Sequence, residues 1–354
     1  MKIKKLLCFL LCFFLITSLC ACNTDRTKKD DEPKPRAKSY YEFFDTVSVI
    51  MSYKNDDETI FNANCDAVSS LLEEYHKLFD IYYEYAEINN LKTVNKNAGK
   101  EPVKVDKKLI DFLLYSKHIY TLTEGKTNIA MGSVLTLWHD AREKGTDAPD
   151  AATLPSQEAL TEASKHININ DLIINEEEST VFISDPDMRL DVGAIGKGYA
   201  TEKAAELLIS RGASSYVLNI GGNIRAIGEK SLGNGWVTGI TNPDKSSEES
   251  FVCKVVIKDT SLVTSGNYER YYMVDGVRYH HIIDPETNMP SNYFASVSVF
   301  TKDSALADAL STALFCMSYE KGLELIRGIG GVDAIWVLPD GEVKITDGVK
   351  LIQE

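Results

Sequence analysis

Two residues four positions apart offer oxygen atoms that suit a magnesium ion. Asp308 and Thr312 lie in ADALSTA (307–313), whose small and apolar residues favour a helix. Because residues four apart share one helix face, the carboxylate and the hydroxyl would stand side by side. Both are hard oxygen ligands of the kind that Mg²⁺ prefers. On this pattern alone, an aspartate on a solvated helix face is the open alternative.

A glycine-rich turn precedes another predicted helix. The run DVGAIGKGYA (191–200) passes from a strand into a helix, and backbone amides at such a helix start favour an anion. Lys197 would add a positive charge to the same turn. The glycine spacing and the Gly198 that follows Lys197 exclude a Walker A loop, and the order is not that of a Rossmann turn. The alternative is a tight connection that needs glycine for its backbone angles.

Two adjacent histidines lie in a strand-like run, YHHIIDP (279–285). Successive strand residues point to opposite faces, so His280 and His281 cannot act together on one metal ion. A histidine that faces a site could move a proton near neutral pH. A histidine that only satisfies the fold is the alternative, and the sequence leaves both open.

The charge balance excludes one class of function. The chain has 354 residues and a formal net charge of −14, without a Lys/Arg-rich run in its body. Binding to nucleic acid through phosphate contacts needs the opposite balance, so no nucleic-acid partner is expected. The body's cysteines, Cys65, Cys253 and Cys316, lack CxxC spacing. We therefore expect neither a zinc site nor a disulfide framework, and read them as buried small apolar residues.

The N-terminus predicts export and a lipid anchor. Residues 1–22 join a basic start to an apolar stretch and end in LCAC (19–22), which resembles a bacterial lipobox. We predict a lipoprotein signal peptide over 1–22 with Cys22 as the lipidated residue; secretion without a lipid is the alternative. The charged segment 23–39 is predicted to be a flexible tether. The expected location is the extracytoplasmic face of the cell membrane.

The candidate residues must be positioned by the helices and strands of residues 40–354. These elements interleave along the sequence, and this order predicts an α+β or mixed α/β domain. Asp275-Gly276 is a strong hairpin signal. Helices are predicted over 57–79, 107–123 and 198–210, and from a cap at Ser304 to about 317. Strands are predicted over 46–53, 180–184, 216–220, 236–240, 251–257, 270–275, 277–283 and 296–300, with two more runs between 328 and 351.

In their joint order and spacing, these segments resemble the ApbE family, the FAD:protein FMN transferases. The resemblance covers most of the chain after about residue 43 and rests on FFDTVSV, LFDIYYEYAEINNLKTVN, DVGAIGKGYA, NIGGNIRAIG, WVTGITNP, TSGNYERYY, YHHIIDP and ADALSTA. The chain departs from the family at GKTNIAMG (125–132), where Asn128 replaces a carboxylate. It also lacks the usual turn glycine in 286–290.

The resemblance implies a fold and a reaction. The fold has mixed, largely antiparallel sheets flanked by helices, with an FAD site between two halves. FAD binds with Mg²⁺, and a Thr or Ser hydroxyl of an exported target flavoprotein attacks the pyrophosphate. FMN becomes attached to the target through a phosphoester bond, and AMP leaves. A metal suits this chemistry because the pyrophosphate charge must be neutralised.

The resemblance also implies roles for residues at matching positions. Asp308 and Thr312 would be Mg²⁺ ligands together with the backbone carbonyl of Ala194. His281, before the Asp-Pro pair, would be the general base for the acceptor hydroxyl. Asp191 would contact the adenine-nucleotide part of FAD and Lys197 its phosphates. The positions that match the lining of the flavin site are Phe44, Tyr82, Thr127, Asn128 and Ile283.

Two other functions are compatible with the sequence. A Mg²⁺-dependent FAD pyrophosphatase would use the same site with water in place of the acceptor hydroxyl. A non-enzymatic FAD-binding lipoprotein would store flavin, although storage does not need the metal ligands and the histidine.

Overall fold

Helices and antiparallel strands build the part of the chain that the structure, a computed structural model, describes: residues 35–53, 57–230 and 234–352. The predicted signal peptide with Cys22, and the tether up to residue 34, lie outside it. The predicted α+β class is confirmed. The helices are α1 (Glu58–Phe79), α2 (Leu91–Lys96), α3 (Lys107–Leu122), α4 (Gly132–Asp147), α5 (Gln157–Ala163), α6 (Gly196–Ser210), α7 (Ser304–Phe315) and α8 (Tyr319–Ile329).

An antiparallel sheet lies at the centre of the described residues. In sheet order its strands are β1 (Arg36–Tyr40), β2 (Ser48–Ser52), β6 (Ser215–Ile220), β7 (Asn223–Gly228), β10 (Ser261–Gly266), β15 (Ser296–Thr301), β16 (Asp333–Val337) and β17 (Val343–Ile345). Strand β15 is buried along its whole length. Layers on both faces of the sheet account for this burial, because a one-sided sheet would expose alternate residues.

Smaller sheets surround the central one. One joins β3 (Val103–Lys104), β5 (Thr180–Ile183) and β4 (Leu172–Asn175). The others are two-stranded and pair β8 (Trp236–Thr241) with β9 (Phe251–Ile257), β11 (Tyr271–Val274) with β12 (Val277–His280), and β13 (Ile283–Asp284) with β14 (Met289–Pro290). The β11–β12 hairpin turns at Asp275-Gly276, as predicted, with positive φ at both residues.

Alternate residues of the central strands pack into different layers. Val297 and Val299 of β15 contact the apolar face of α7, including Leu310. Phe300 points to the other side, where it joins Trp236 of the β8–β9 ribbon. This two-sided packing follows from the period of two in a strand. It seats α7, which carries Asp308 and Thr312, directly on the sheet.

The structure corrects two boundaries and adds unpredicted helices. Residues 36–39 of the predicted tether belong to β1, which pairs with β2, so the ordered body begins before residue 40. Asp303 rather than Ser304 caps α7, because its carboxylate accepts the amides of Ala305 and Leu306. The helices α2, α4, α5 and α8 were not predicted. The three cysteines of the described residues are unpaired, with Cys65 and Cys316 buried.

Candidate functional site

The first turn of α6 meets α7 through one hydrogen bond. The amide of Gly198 donates to Asp308 Oδ2 at 2.7 Å. No side chain caps α6 from its own N-cap residue, Ile195, so Asp308 supplies the anionic acceptor at this helix start. Ala194 lies in the turn just before α6, and Thr312 lies one helical turn beyond Asp308. The structure thus brings both predicted metal-binding segments to one junction.

Glycine at position 198 allows this close approach. A Cβ atom at 198 would lie 2.3 Å from Asp308 Cβ and 2.4 Å from the carbonyl oxygen of Ser304. Both neighbours belong to the helix α7, which cannot yield without moving its backbone. The third glycine of DVGAIGKGYA is therefore explained by helix packing rather than by backbone conformation.

Gly198→Ala is expected to push α7 away from α6. Overpacking of this kind costs about 1–3 kcal/mol of unfolding free energy, and it should also lower activity because Asp308 moves. Chemical denaturation and a transfer assay measure the two effects. The matched control is Gly328→Ala in α8, where a Cβ meets nothing within 4 Å. That variant should be as stable as wild type or more stable by about 0.5–1 kcal/mol. Equal stability of the two alanine variants would contradict the packing argument.

Asp308 is a buried carboxylate with little to balance its charge. Asp308 is only 5% exposed. Burial raises the pKa of Asp308, while the Lys197 ammonium and the Gly198 amide oppose the rise. Within the described ranges no ion pair to Asp308 is found. A buried carboxylate of this kind gains from a bound cation, so the residue types and the electrostatics fit a metal ligand.

A second carboxylate fixes the start of α7. Glu202 of α6 accepts the amide of Ser304 at 2.7 Å and the guanidinium Nε of Arg225 at 3.2 Å. Arg225, on β7, is 1% exposed. The bonds join α6, β7 and α7, so the position of Asp308 does not depend on the Gly198 contact alone.

Within the described residues, the ring of His281 forms a hydrogen bond through Nδ1 and none through Nε2. Its Nδ1 lies 3.2 Å from the carbonyl oxygen of Arg270, and its backbone amide donates to the same oxygen. The Nδ1–H tautomer therefore fits, which leaves the Nε2 lone pair as an acceptor. Burial and the positive charges of Arg270 and Arg142 lower the pKa of His281 to about 3. The imidazole is neutral at physiological pH.

His280 serves the fold. It is buried, its Nε2 lies 2.7 Å from the carbonyl oxygen of Ser291, and its Nδ1 accepts the amide of Ile282. Both nitrogens are thus in use, and burial lowers the pKa of His280 although the Ser291 carbonyl opposes this. The two histidines thus have different environments, as the strand argument indicated, and His280 matches the alternative of a histidine that only satisfies the fold.

Arg142 of α4 connects several predicted residues. Its charge acts on His281, Asp191 and Tyr82, so these side chains share one neighbourhood. Burial raises the pKa of Asp191, against the Gly193 amide and the positive groups nearby. Tyr82 is 55% exposed and could cover a flat ring at this open side.

Comparison with known proteins places the chain in a family. The model of the ApbE family matches residues 44–336, most of the chain. The chain belongs to the ApbE family.

Relatives and solved structures agree with this assignment. The FAD:protein FMN transferase of Treponema pallidum is 36% identical over 273 residues, 73% of each chain. The crystal structure of the ApbE protein of Thermotoga maritima has a TM-score of 0.76 at 26% identity and covers 89% of this chain and 97% of its own. The flavin transferase ApbE of Vibrio cholerae has a TM-score of 0.72 at 26% identity, with 88% and 96% covered.

The remaining residues that were predicted to line the flavin site lie in different surroundings. Phe44 has a φ of 55°, and its amide donates to His76 Nδ1. Thr127 is buried, and its hydroxyl donates to the carbonyl oxygen of Ala309 in α7 at 2.8 Å. Ile283 is buried among apolar side chains, so its side chain does not face an open groove. Thr127 is therefore next to the predicted metal-binding segment in α7, whereas the Ile283 side chain serves the core.

Asn128 is held by the backbone on both sides. Its Nδ2 donates to the carbonyl oxygen of Ile167, and its Oδ1 accepts the amide of Ala130. It lines a cavity of about 360 Å³, together with Lys126 and Glu286, that neither Asp308 nor His281 lines. The Asn128 side chain thus has hydrogen-bond partners within the protein at both of its polar atoms.

Sequence reasoning missed a buried ion pair beside this loop. Lys126 donates to Asp284 Oδ1 at 2.8 Å, and both side chains are buried. Burial works against the charge of Lys126, but Asp284 and Glu286 outweigh it and raise its pKa. The partners are 158 residues apart, so spacing gives no signal. The one hint in the sequence is that Lys126 is the only charged residue in the run GKTNIAMG (125–132).

Proposed function

We propose that the chain is a Mg²⁺-dependent FAD:protein FMN transferase. It moves FMN from FAD to a Thr or Ser hydroxyl of an exported flavoprotein and releases AMP. The observation that carries this proposal is the contact between α7 and the start of α6: the buried Asp308 carboxylate of α7 accepts the Gly198 amide of α6 at 2.7 Å. The Treponema pallidum relative is an FAD:protein FMN transferase, which supports the same reaction. FAD is proposed to bind where the turn 191–197 meets α7.

Asp308, Thr312 and the Ala194 carbonyl would hold the metal ion. All three offer oxygen, and the uncompensated buried charge of Asp308 suits a divalent cation. When bound, Mg²⁺ would neutralise diphosphate charge and act as a Lewis acid. Lys197, whose ammonium acts on both Asp308 and Asp191, would add a second positive charge for the phosphates.

His281 is the proposed general base. Its Nε2 takes the proton of the acceptor hydroxyl as the oxygen attacks the FMN-side phosphorus of FAD. The bond from that phosphorus to the AMP-side oxygen breaks, and AMP leaves. The low pKa keeps the base unprotonated, and a bound diphosphate would raise its basicity by offsetting the charges of Arg270 and Arg142.

A direct assay tests the reaction. The protein is incubated with FAD, Mg²⁺ and an exported flavoprotein domain that carries a threonine acceptor, and with the matched Thr→Ala domain. In-gel flavin fluorescence and a mass gain of one FMN on the threonine domain alone are the expected result. Release of AMP without labelled protein would instead identify a pyrophosphatase. The absence of both AMP release and labelled protein would identify a flavin-binding protein without this activity.

We further propose that the protein is a lipoprotein anchored through Cys22 on the extracytoplasmic face of the membrane. The LCAC run at the end of the apolar segment supports this. In the described residues, no helix is both long and apolar enough to cross a bilayer. Membrane fractionation of cells that express the chain or Cys22→Ala tests the anchor. An unchanged membrane fraction of the variant would refute it.

A further inference from the structure

A second group of metal-ligating side chains lies apart from the α6–α7 junction. His166, Asp185 and Asp187 bring one nitrogen and two carboxylate oxygens within 4.8 Å of one another. His166 ends the short 3-10 helix Ser164–His166, and the two aspartates follow β5. The proposed transfer reaction uses none of these residues.

Local bonds hold the group in place. Asp185 Oδ2 lies 2.7 Å from His166 Nδ1, and its Oδ1 accepts the amide of Asp187 at 2.8 Å. Pro186 between the aspartates packs on Gly99, where a Cβ would approach Pro186 Cβ to 2.5 Å. The carboxylate of Asp185 is therefore oriented toward the imidazole before any ligand arrives, which lowers the entropy lost on binding.

Among the described residues, no lysine or arginine forms an ion pair with the carboxylates of this group. In the described part of the chain, Asp185 has an ion-pair contact only with His166, and Asp187 has none. Arg189 is two residues away, yet its Nη1 donates to the backbone carbonyls of Pro186 at 2.7 Å and Met188 at 2.6 Å. The side chains of His166 and Asp185 are only 22% and 18% exposed. Two close carboxylates in such a setting favour a cation.

We propose that His166 Nδ1 and one oxygen from each of Asp185 and Asp187 form a binding site for a divalent cation of the zinc class. A mixed nitrogen and oxygen set suits Zn²⁺, whereas Mg²⁺ and Ca²⁺ prefer oxygen alone. Tetrahedral Zn²⁺ with bonds of about 2.0–2.2 Å places its ligand atoms roughly 3.3 Å apart. The His166–Asp185 pair opens slightly, the exposed Asp187 closes in, and water completes the coordination.

Coordination at Nδ1 replaces the His166–Asp185 hydrogen bond, and the neutral imidazole then carries its proton on Nε2. The other ring nitrogen lies 4.0 Å from Glu162 Oε1, which would orient the ring from outside. The cysteine spacing that argued against zinc does not bear on this site, because no cysteine takes part.

The cation site would stabilise two segments that lie near residues predicted to contact flavin. The carbonyl of Ile167, next to His166, accepts from Asn128, and the carbonyl of Asp187 accepts from the Ser133 hydroxyl at the start of α4. Helix α4 carries Arg142. A cation that joins the two segments therefore stabilises the loop with Asn128 and the base of α4, whether or not the chain transfers FMN.

Calorimetric titration of Zn²⁺ into the purified full-length chain, with Mg²⁺ in excess, tests the proposal. One equivalent of Zn²⁺ is expected to bind and to raise Tm by about 3–6 °C at saturation. His166→Gln and Asp187→Asn should weaken this binding at least about tenfold. The matched controls, His118→Gln on the exposed side of α3 and Asp308→Asn, should keep it.

Three results would overturn the proposal. Wild type that takes up no Zn²⁺ shows that the group is only a hydrogen-bonded pair. Unchanged binding in His166→Gln and Asp187→Asn places the ion elsewhere. Loss of binding in Asp308→Asn assigns the ion to the α6–α7 junction. If His166→Gln fails to fold, the exposed Asp187→Asn variant decides alone.

Discussion

Asp308→Asn is expected to reduce FMN transfer at least about 10³-fold, which corresponds to roughly 4 kcal/mol of transition-state stabilisation. The metal-free variant should nevertheless be at least as stable as wild type. Asparagine keeps an oxygen that accepts the Gly198 amide, so the α6–α7 contact survives. What is lost is the negative charge, and with it the proposed hold on the metal ion. Initial transfer rates and thermal unfolding in a chelating buffer measure the two effects.

The sign of the stability effect follows from the pKa of Asp308. Because burial raises this pKa, the metal-free folded state binds the proton more tightly than the unfolded state does. The stability of metal-free wild type therefore falls as pH rises from the ordinary aspartate pKa through the raised one. Asp308→Asn should lack this fall. Glu324→Gln, an exposed charge removal on α8, is the control and should change neither rate nor stability.

Two outcomes would contradict this account. Transfer at the wild-type rate would mean that Asp308 does not hold the metal. A metal-free variant that is clearly less stable would mean that the carboxylate serves the fold. Asp308→Ala adds a further comparison, because it removes both the charge and the acceptor for the Gly198 amide and should lose stability as well as activity.

His281→Ala is expected to slow transfer by about 10²–10⁴-fold, the usual range for loss of a general base. FAD affinity should change little, because the proposed role of Nε2 is toward the acceptor hydroxyl and not toward FAD. Single-turnover rates at saturating FAD, beside equilibrium binding of FAD, separate the two quantities. Equal losses in both would make His281 a binding residue.

The pH dependence gives a second readout for His281. Its pKa of about 3 means that the neutral base persists as pH falls through the ordinary histidine range. The ratio kcat/KM for FAD, which reports the free enzyme, should therefore not fall between pH 7 and 6 through protonation of this residue. A fall there that His281→Ala removes would contradict the low pKa. The stability of the folded state does depend on pH in this range. As pH falls below the unfolded-state histidine pKa near 6.5, the unfolded state binds the proton before the folded state does, so the free energy of unfolding decreases toward acid pH. His118→Ala, at an exposed position, is the matched control.

Local patterns predicted the fold class and several elements well. The apolar spacing of 57–79 and 107–123 predicted α1 and α3 almost to the residue, and Asp275-Gly276 predicted its hairpin. Helix α4 was not predicted because few of its side chains are buried, which leaves only a narrow apolar stripe in its sequence. Strand β1 was missed because it is a polar edge strand: its residues alternate between half-buried and exposed, but the half-buried ones include Arg36 and Lys38, so no apolar alternation marks it in the sequence.

The candidate site was predictable in its parts but not in its assembly. Residue types and helical spacing singled out Asp308 with Thr312, and the glycine-rich turn was visible as a helix start. Position 198 must be glycine because Asp308 packs against it. These two positions are 110 residues apart, and no local sequence pattern contains such a contact. The same holds for Lys126 with Asp284. Tertiary partners of this kind decide charge balance and pKa, so the chemistry of the site needs the structure.

The most direct test of the central claim is calorimetric titration of FAD into the protein with and without Mg²⁺. Wild type should bind FAD at least about tenfold more tightly when Mg²⁺ is present, and Asp308→Asn should bind it equally in both buffers. Equal affinity in both buffers for wild type, or a Mg²⁺ effect that survives in Asp308→Asn, would contradict a metal site at the junction of α6 and α7.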